Sequence, residues 1–83
     1  MEKISVEQIS KELLLFVQSN LLDSKIAITP ETPFNQVGLD SMSIIEIVLF
    51  IERKFGVAIS EKDLTPDSLK SIQSLSDCTF KYL

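Results

Sequence analysis

Apolar and polar positions divide the chain into helical stretches separated by segments rich in turn residues. The first stretch opens with Ser5-Val6-Glu7-Gln8, the form of a capping box, in which each end side chain binds the other residue's backbone amide. Apolar residues then recur at helical spacing, namely Val6, Ile9, Leu13, Phe16 and Val17, with Leu14 and Leu15 widening the stripe. The pattern predicts a first helix over residues 5–18, with Asn20 as its stop signal.

Residues 19–40 interrupt this periodicity with turn-favouring residues, among them Thr29, Pro30, Pro33, Asn35 and Gly38. A loop of this length in so small a domain is normally either functional or held down by its own side chains. We expect the anchors to be its apolar residues, Ile26, Ile28, Phe34, Val37 and Leu39. Phe34 and Val37 are expected to enter the core and to fix the approach of the chain to Asp40.

A second helix is predicted over Ser41–Phe55, because Asp40 is a favoured N-cap and Gly56 stands at the C′ position. Its apolar residues are too numerous for one stripe: Met42, Ile44, Ile45, Ile47, Val48, Leu49, Phe50, Ile51 and Phe55. Such a helix is either central to its bundle or presents apolar surface to a partner. We expect the core side to contain Ile45, Val48, Phe55 and one flank of Ile51, and the outward side to contain Met42 and Leu49.

The last part of the chain contains one short and one longer helical signal. Val57-Ala58-Ile59 is interpreted as a packed connector, since no second strand is available to pair with it. Ser60-Glu61-Lys62-Asp63 begins a short capped turn that ends near Leu64, because Pro66 cannot continue it. Ser71 is the expected N-cap of the last helix. The apolar residues of that helix are Ile72, Leu75, Cys78 or Thr79, and Tyr82, with Leu69 filling the core just before it.

These elements predict an all-α fold, a four-helix bundle of three main helices and one short helix, with a long loop between helices one and two. A chain of 83 residues with 45% hydrophobic content suffices for one domain, residues 1–83, with a single modest core. The formal net charge of −4 argues against nucleic acid as a partner, since an acidic surface repels phosphates. We predict a monomer.

The stretch Gly38-Leu39-Asp40-Ser41-Met42, ahead of an apolar helix that carries Glu46, resembles the prosthetic-group site of acyl carrier proteins. The similarity continues along the chain at Phe34, Glu52, Phe55-Gly56-Val57, Ile59 and the short turn to Leu64. It implies that Ser41 carries 4'-phosphopantetheine, delivered from coenzyme A by a phosphopantetheinyl transferase that uses Mg²⁺. Asp40 would help to engage that enzyme or the metal. Independently of the resemblance, Ser41 is also consistent with an ordinary first-turn residue behind an Asp N-cap.

The resemblance further implies a stand-alone, non-catalytic carrier that moves acyl thioesters between enzymes of fatty-acid, polyketide or related secondary-metabolite biosynthesis. Acyl-loading enzymes and ketosynthases are among the implied partners, contacted through Met42, Glu46 and Glu52. The alternatives are a solvated face for the two glutamates and a cover over the loop for Met42. A cavity sheltering the acyl chain is expected among the helices, lined by candidates such as Val48, Ile51, Phe55, Ile59 and Leu75.

Some positions depart from the family's usual pattern. Ser43, Arg53 and Lys54 stand where fatty-acid carriers are commonly acidic, which favours a polyketide or mixed secondary-metabolite pathway. Asp40 occupies a position where peptidyl carriers commonly have histidine, which favours an acyl over an aminoacyl cargo.

Several function classes are disfavoured by what the sequence lacks. Histidine is absent, so the commonest general base is missing and a self-sufficient enzyme is disfavoured. The single Cys78 excludes an internal disulfide and a zinc site, and is interpreted as a core residue rather than a reactive thiol. No secretion signal is recognisable and the longest apolar run, Ile47 to Ile51, is too short for a bilayer, so we predict a cytoplasmic protein without membrane insertion. The competing function is a helical interaction module that is never modified at Ser41.

Overall fold

The computed structural model describes residues 4–23 and 25–83. Its elements in chain order are α1 (Val6–Asn20), a 3₁₀ turn (Phe34–Val37), α2 (Ser41–Phe55), a second 3₁₀ turn (Glu61–Asp63) and α3 (Ile72–Phe80). The all-α fold with a long connection between α1 and α2 is therefore confirmed. The four-helix count is wrong, because the short element before Leu64 is a three-residue 3₁₀ turn and the described residues contain three α-helices.

Helix α1 begins with the capping box that the sequence predicts. Ser5 Oγ accepts a hydrogen bond from the Gln8 amide at 3.2 Å, and Gln8 Oε1 accepts one from the Ser5 amide at 3.3 Å. The buried apolar residues of the helix are Ile9, Leu13 and Val17. Leu15 is exposed, contrary to its predicted place in the stripe. The reason is geometric, since a residue two positions from both Leu13 and Val17 lies about 200° around the helix from each.

Helix α2 has the predicted bounds and caps. Gly56 follows it in the left-handed conformation, with a φ of 66°, which glycine adopts without steric cost. The inward side consists of Ile47, Val48 and Ile51. The prediction that Ile45 belongs to the core is wrong, because it lies two positions from Ile47 and therefore on another side of the helix. Phe55 is only partly buried.

One side of α2 presents large apolar side chains to solvent. Met42 is 71% exposed, Ile45 56% and Leu49 50%, so the predicted outward positions of Met42 and Leu49 are confirmed. The three residues are spaced by three and four positions and so lie along one line of the helix. We call Met42, Ile45 and Leu49 the apolar strip.

The long connection between α1 and α2 is anchored largely as predicted. Ile28, Phe34 and Leu39 are buried and Val37 is partly buried, whereas Ile26 is exposed and anchors nothing by burial. Backbone hydrogen bonds fix the connection against the start of α3: the Phe34 amide donates to Lys70 O at 2.8 Å, and the Gln73 amide donates to Pro30 O at 2.8 Å. The segment that leads to Asp40 is therefore held in place both by buried apolar side chains and by backbone hydrogen bonds.

Helix α3 packs chiefly against α1. Its N-cap is Ser71, as predicted, whose Oγ accepts from the Ser74 amide at 3.2 Å. Its buried residues are Ile72, Leu75, Ser76, Cys78 and Thr79. Cys78 is thus a core residue, as predicted, and burial raises the pKa of its thiol. Tyr82 lies beyond the end of the helix rather than on it.

The helices of residues 4–23 and 25–83 lack the combination of length and apolar character that crossing a membrane requires.

The aromatic rings of Phe16 and Phe50 stack at a centroid distance of 4.2 Å and join α1 to α2.

Candidate functional site

Ser41 is the first residue of α2, and its side chain is exposed. The residues before it explain this position. Gly38 ends the 3₁₀ turn with a φ of 77°, a left-handed conformation that suits glycine. Leu39 is buried and its amide donates to Phe34 O at 3.1 Å. Because Phe34 and Leu39 are fixed in the core, the chain that follows them brings Ser41 to the surface at the start of the helix.

Asp40 is the N-cap of α2, as predicted, and an electrostatic neighbour of Ser41. Its Oδ1 accepts a hydrogen bond from the Ser43 amide at 2.9 Å. This bond, and a smaller contribution from the Ser43 hydroxyl, hold the pKa of the Asp40 carboxyl below its ordinary value. Asp40 is therefore ionised at neutral pH and stands beside the exposed hydroxyl of Ser41.

An apolar cavity of about 250 Å³ begins at Ser41 and extends along α2. Its lining residues are Ser41, Ile44, Ile45, Val48, Leu49, Leu64 and Leu69. One wall is α2, and the other is formed by Leu64 and Leu69 from the segment between the connector and α3. Apart from Ser41, every lining residue is apolar, so the cavity suits a hydrocarbon chain and does not suit a charged group.

The cavity differs from the predicted one in its lining. Of the five expected residues only Val48 lines it. Ile51 and Leu75 are fully buried and Ile59 is buried too, because the inward face of α2 is already packed by the rest of the core. The opening therefore forms on the outer flank of α2, where Ile45 and Leu49 of the apolar strip line it, and not among the three helices. Sequence periodicity could not identify Leu64 and Leu69, since they lie in a segment without an α-helix.

The predicted partner-contact residues occupy different environments. Met42 belongs to the apolar strip, and Glu46 is exposed beside it, four positions after Met42 and three before Leu49. Glu52 is half-buried, and its Oε2 accepts a hydrogen bond from the Ile59 amide at 3.1 Å. The structure does not bring Glu46 and Glu52 together, since six positions correspond to about 240° around a helix.

The site fits a phosphate-linked arm with an apolar end, on three observations. The hydroxyl that would carry it is exposed, it stands at the positive end of a helix, and the cavity beside it is apolar. Among the described residues there is no group of three or more histidine, cysteine, aspartate or glutamate side chains placed to hold a metal ion. Asp40 is the acidic side chain next to the hydroxyl.

A family model described as a phosphopantetheine attachment site matches residues 12–79. The chain belongs to the acyl carrier protein family. This confirms the family resemblance, and with it 4'-phosphopantetheine as the group that such a domain holds covalently. The matched range includes α2, the cavity and most of α1 and α3.

Relatives of this acyl carrier family member come from plants and bacteria. "Acyl carrier protein TtuC" of Teredinibacter turnerae is 34% identical over 73 residues, which cover 88% of this chain and 82% of that protein. "Acyl carrier protein 2, chloroplastic" of Spinacia oleracea is 30% identical over 80 residues, 89% of this chain and 60% of that protein. "Aminoacyl carrier protein 1" of Bradyrhizobium diazoefficiens is 31% identical over 48 residues, 58% of this chain and 53% of that protein. The chain therefore spans little more than half the length of the last two relatives.

Proposed function

We propose that this protein is a non-catalytic acyl carrier whose 4'-phosphopantetheine is attached to Ser41. The observation that carries the proposal is the position of the Ser41 hydroxyl, exposed at the start of α2 and at the edge of an apolar cavity. Ser43, the nearest other serine, is half-buried and its hydroxyl interacts with the Asp40 carboxylate, so it is a poorer acceptor. Asp40 is proposed to contact the modifying enzyme or its metal.

Attachment is a transfer that this chain receives from a phosphopantetheinyl transferase. The Ser41 oxygen bonds to the phosphorus next to the pantetheine half of coenzyme A, and the bond from that phosphorus to the adenosine bisphosphate half breaks. The hydroxyl proton leaves to a base on the transferase, because the chain has no histidine of its own. Once attached, the group supplies a terminal thiol that holds acyl groups as thioesters.

The cavity supports an apolar acyl cargo. Ile44, Val48 and Leu69 would exclude water from a chain that enters beside Ser41. A water molecule takes up about 30 Å³ of liquid and a methylene group is of similar size, so a cavity of about 250 Å³ has room for about six to eight carbons. An aminoacyl group would bring an ammonium charge into the same lining, and burying an unpaired charge is costly. The lining therefore favours an acyl cargo.

The apolar strip and Glu46 are proposed as the surface that meets the transferase and the acyl-processing enzymes, ketosynthases among them. An apolar line with a carboxylate beside it is complementary to an apolar surface that carries a basic side chain. Glu52 stays a predicted contact, with one carboxylate oxygen already bound by the Ile59 amide.

The pathway and location are proposed from weaker features. Ser43, Arg53 and Lys54 still favour a polyketide or related secondary-metabolite pathway over fatty-acid synthesis. The single, buried thiol of Cys78 is consistent with the reducing cytoplasm, although the spinach relative is named as chloroplastic. We propose that the carrier acts as a monomer.

The proposal is tested by intact mass spectrometry after incubation with coenzyme A, Mg²⁺ and a broad-specificity phosphopantetheinyl transferase. The parent chain and the control variant Ser43→Ala should each gain the mass of one phosphopantetheine, whereas Ser41→Ala should gain none. If the folded parent gains no mass while a known carrier is loaded in parallel, the protein is better explained as an unmodified interaction module.

A further inference from the structure

The cavity has one wall without an α-helix. Leu64 and Leu69 line it from the segment 60–69, whose regular structure is limited to the 3₁₀ turn Glu61–Asp63. This segment holds its shape through local hydrogen bonds: the Thr65 amide donates to Ser68 Oγ at 2.9 Å, and Ser68 Oγ donates to Asp63 O at 2.6 Å. The 3₁₀ turn has no buried residue, so burial does little to hold that turn against the bundle.

The hydroxyl of Tyr82 ties this segment to the end of the chain. It accepts a hydrogen bond from the Ser60 amide at 3.1 Å and donates one to the Asp63 carboxylate. The two bonds hold the two ends of the 3₁₀ turn. The bond to Asp63 also raises the pKa of Tyr82, so its hydroxyl keeps its proton at neutral pH and remains a donor. We call Tyr82, the Ser60 amide and the Asp63 carboxylate the C-terminal latch.

The opposite wall of the cavity is fixed. Ile47 and Ile51 are fully buried and hold α2 in the core, and Asp40 and Gly56 cap its two ends. A second tie on segment 60–69 is the bond from Ser74 Oγ to Ser68 O at 2.7 Å, which attaches its far end to the start of α3. The near end, by contrast, is held by Tyr82, by the bond between the Ile59 amide and Glu52, by the burial of Ile59 and by a contact from Cys78 Sγ to Asp63 O at 3.8 Å. Tyr82 binds both ends of the 3₁₀ turn, so the turn moves freely only when these two bonds are broken.

We propose that the C-terminal latch limits how often segment 60–69 moves away from α2, and so controls the entry of an acyl chain into the cavity. The part of this proposal that concerns acyl-chain entry rests on the proposed function. The part that Tyr82 holds segment 60–69 in place does not. Tyr82 acts here as a positioning residue, since it is not among the residues that line the cavity. Loss of its hydroxyl should leave the cavity wall in place and make its opening more frequent.

The hold on the segment is tested in the unmodified protein by amide hydrogen exchange measured by NMR. Tyr82→Phe removes the hydroxyl and keeps the ring, and should accelerate exchange at Leu64 and Leu69 about tenfold. The control is Gln18→Ala, which removes side-chain bonds to Asp23 O and Ile26 O in a loop outside the cavity and should leave both rates unchanged. Unchanged rates in Tyr82→Phe would overturn the proposal.

The control of entry is tested by the rate at which hydroxylamine cleaves the thioester of the octanoyl-loaded protein. Tyr82→Phe should be cleaved several-fold faster than the parent, and the acetyl-loaded forms of the two should be cleaved equally fast. Equal octanoyl rates would overturn the control of entry even if exchange at Leu64 accelerates. Failure of Ser41 to accept the group would refute the proposed function and the control of entry together, while the exchange result would still decide whether Tyr82 holds the segment.

Discussion

Loading with an octanoyl chain should stabilise the fold more than loading with an acetyl group, because only the longer chain reaches into the apolar cavity. The octanoyl and acetyl groups differ by six methylene groups. We take about four of them to leave water, because Ile45 and Leu49 on the cavity wall are half exposed, and this contributes about 3 kcal/mol. Ordering a flexible chain costs about 1.5 kcal/mol by analogy with a long side chain. The difference in unfolding free energy is then about 1.5 kcal/mol, or roughly 10 °C in Tm for a domain of this size.

The assay is thermal unfolding of the octanoyl-loaded and acetyl-loaded proteins, followed by circular dichroism. Val48→Phe serves as the control, because the larger side chain occupies the cavity that Val48 now lines and should remove the difference between the two loaded forms. Equal Tm values for the two loaded forms of the parent would refute the assignment of this cavity to the cargo. A difference that persists undiminished in Val48→Phe would place the chain elsewhere on the protein.

Further predictions concern the core, the cap and the apolar strip. Ile47→Ala should lower the unfolding free energy by about 2–5 kcal/mol and Ile45→Ala by less than about 1 kcal/mol, as measured with urea. Because the folded-state pKa of Asp40 is lowered, its carboxylate stabilises the fold at neutral pH; this advantage over Asp40→Asn should shrink below about pH 4 in urea titrations. Met42→Ala should lower the kcat/KM of the transferase about fivefold at unchanged stability, and equal rates in Met42→Ala and the control Leu15→Ala would contradict the docking surface.

The helix bounds could be predicted well because the ends of the helices are encoded locally. Ser5 with Gln8, Asp40, Gly56 and Ser71 each act on backbone groups within a few residues, and each occupies the predicted cap in the structure. The exposed place of Ser41 follows from the same local signals. The pattern alone does not predict what this serine does. Only the similarity to the family predicts that it carries 4'-phosphopantetheine.

Side-chain orientation on α2 was predicted less well, for a physical reason. When a helix is apolar on nearly all sides, its sequence pattern does not show which side faces the core. Whether Ile45 or Ile47 is buried therefore depends on where α1 and α3 pack. The predicted position of the cavity is wrong for the same reason. In addition, the second wall of the cavity lies in a segment whose sequence has no helical periodicity. Tyr82 and Asp63 are 19 positions apart, and neither position carries a pattern that would pair them.

The attachment residue is decided by the tandem mass spectrum of the loaded parent protein, in fragments that separate Ser41 from Ser43. We predict that the phosphopantetheine mass stays with the fragment that contains Ser41, at the start of α2 and the edge of the cavity. Its presence on Ser43, or on a serine outside α2, would contradict the site proposed for this carrier.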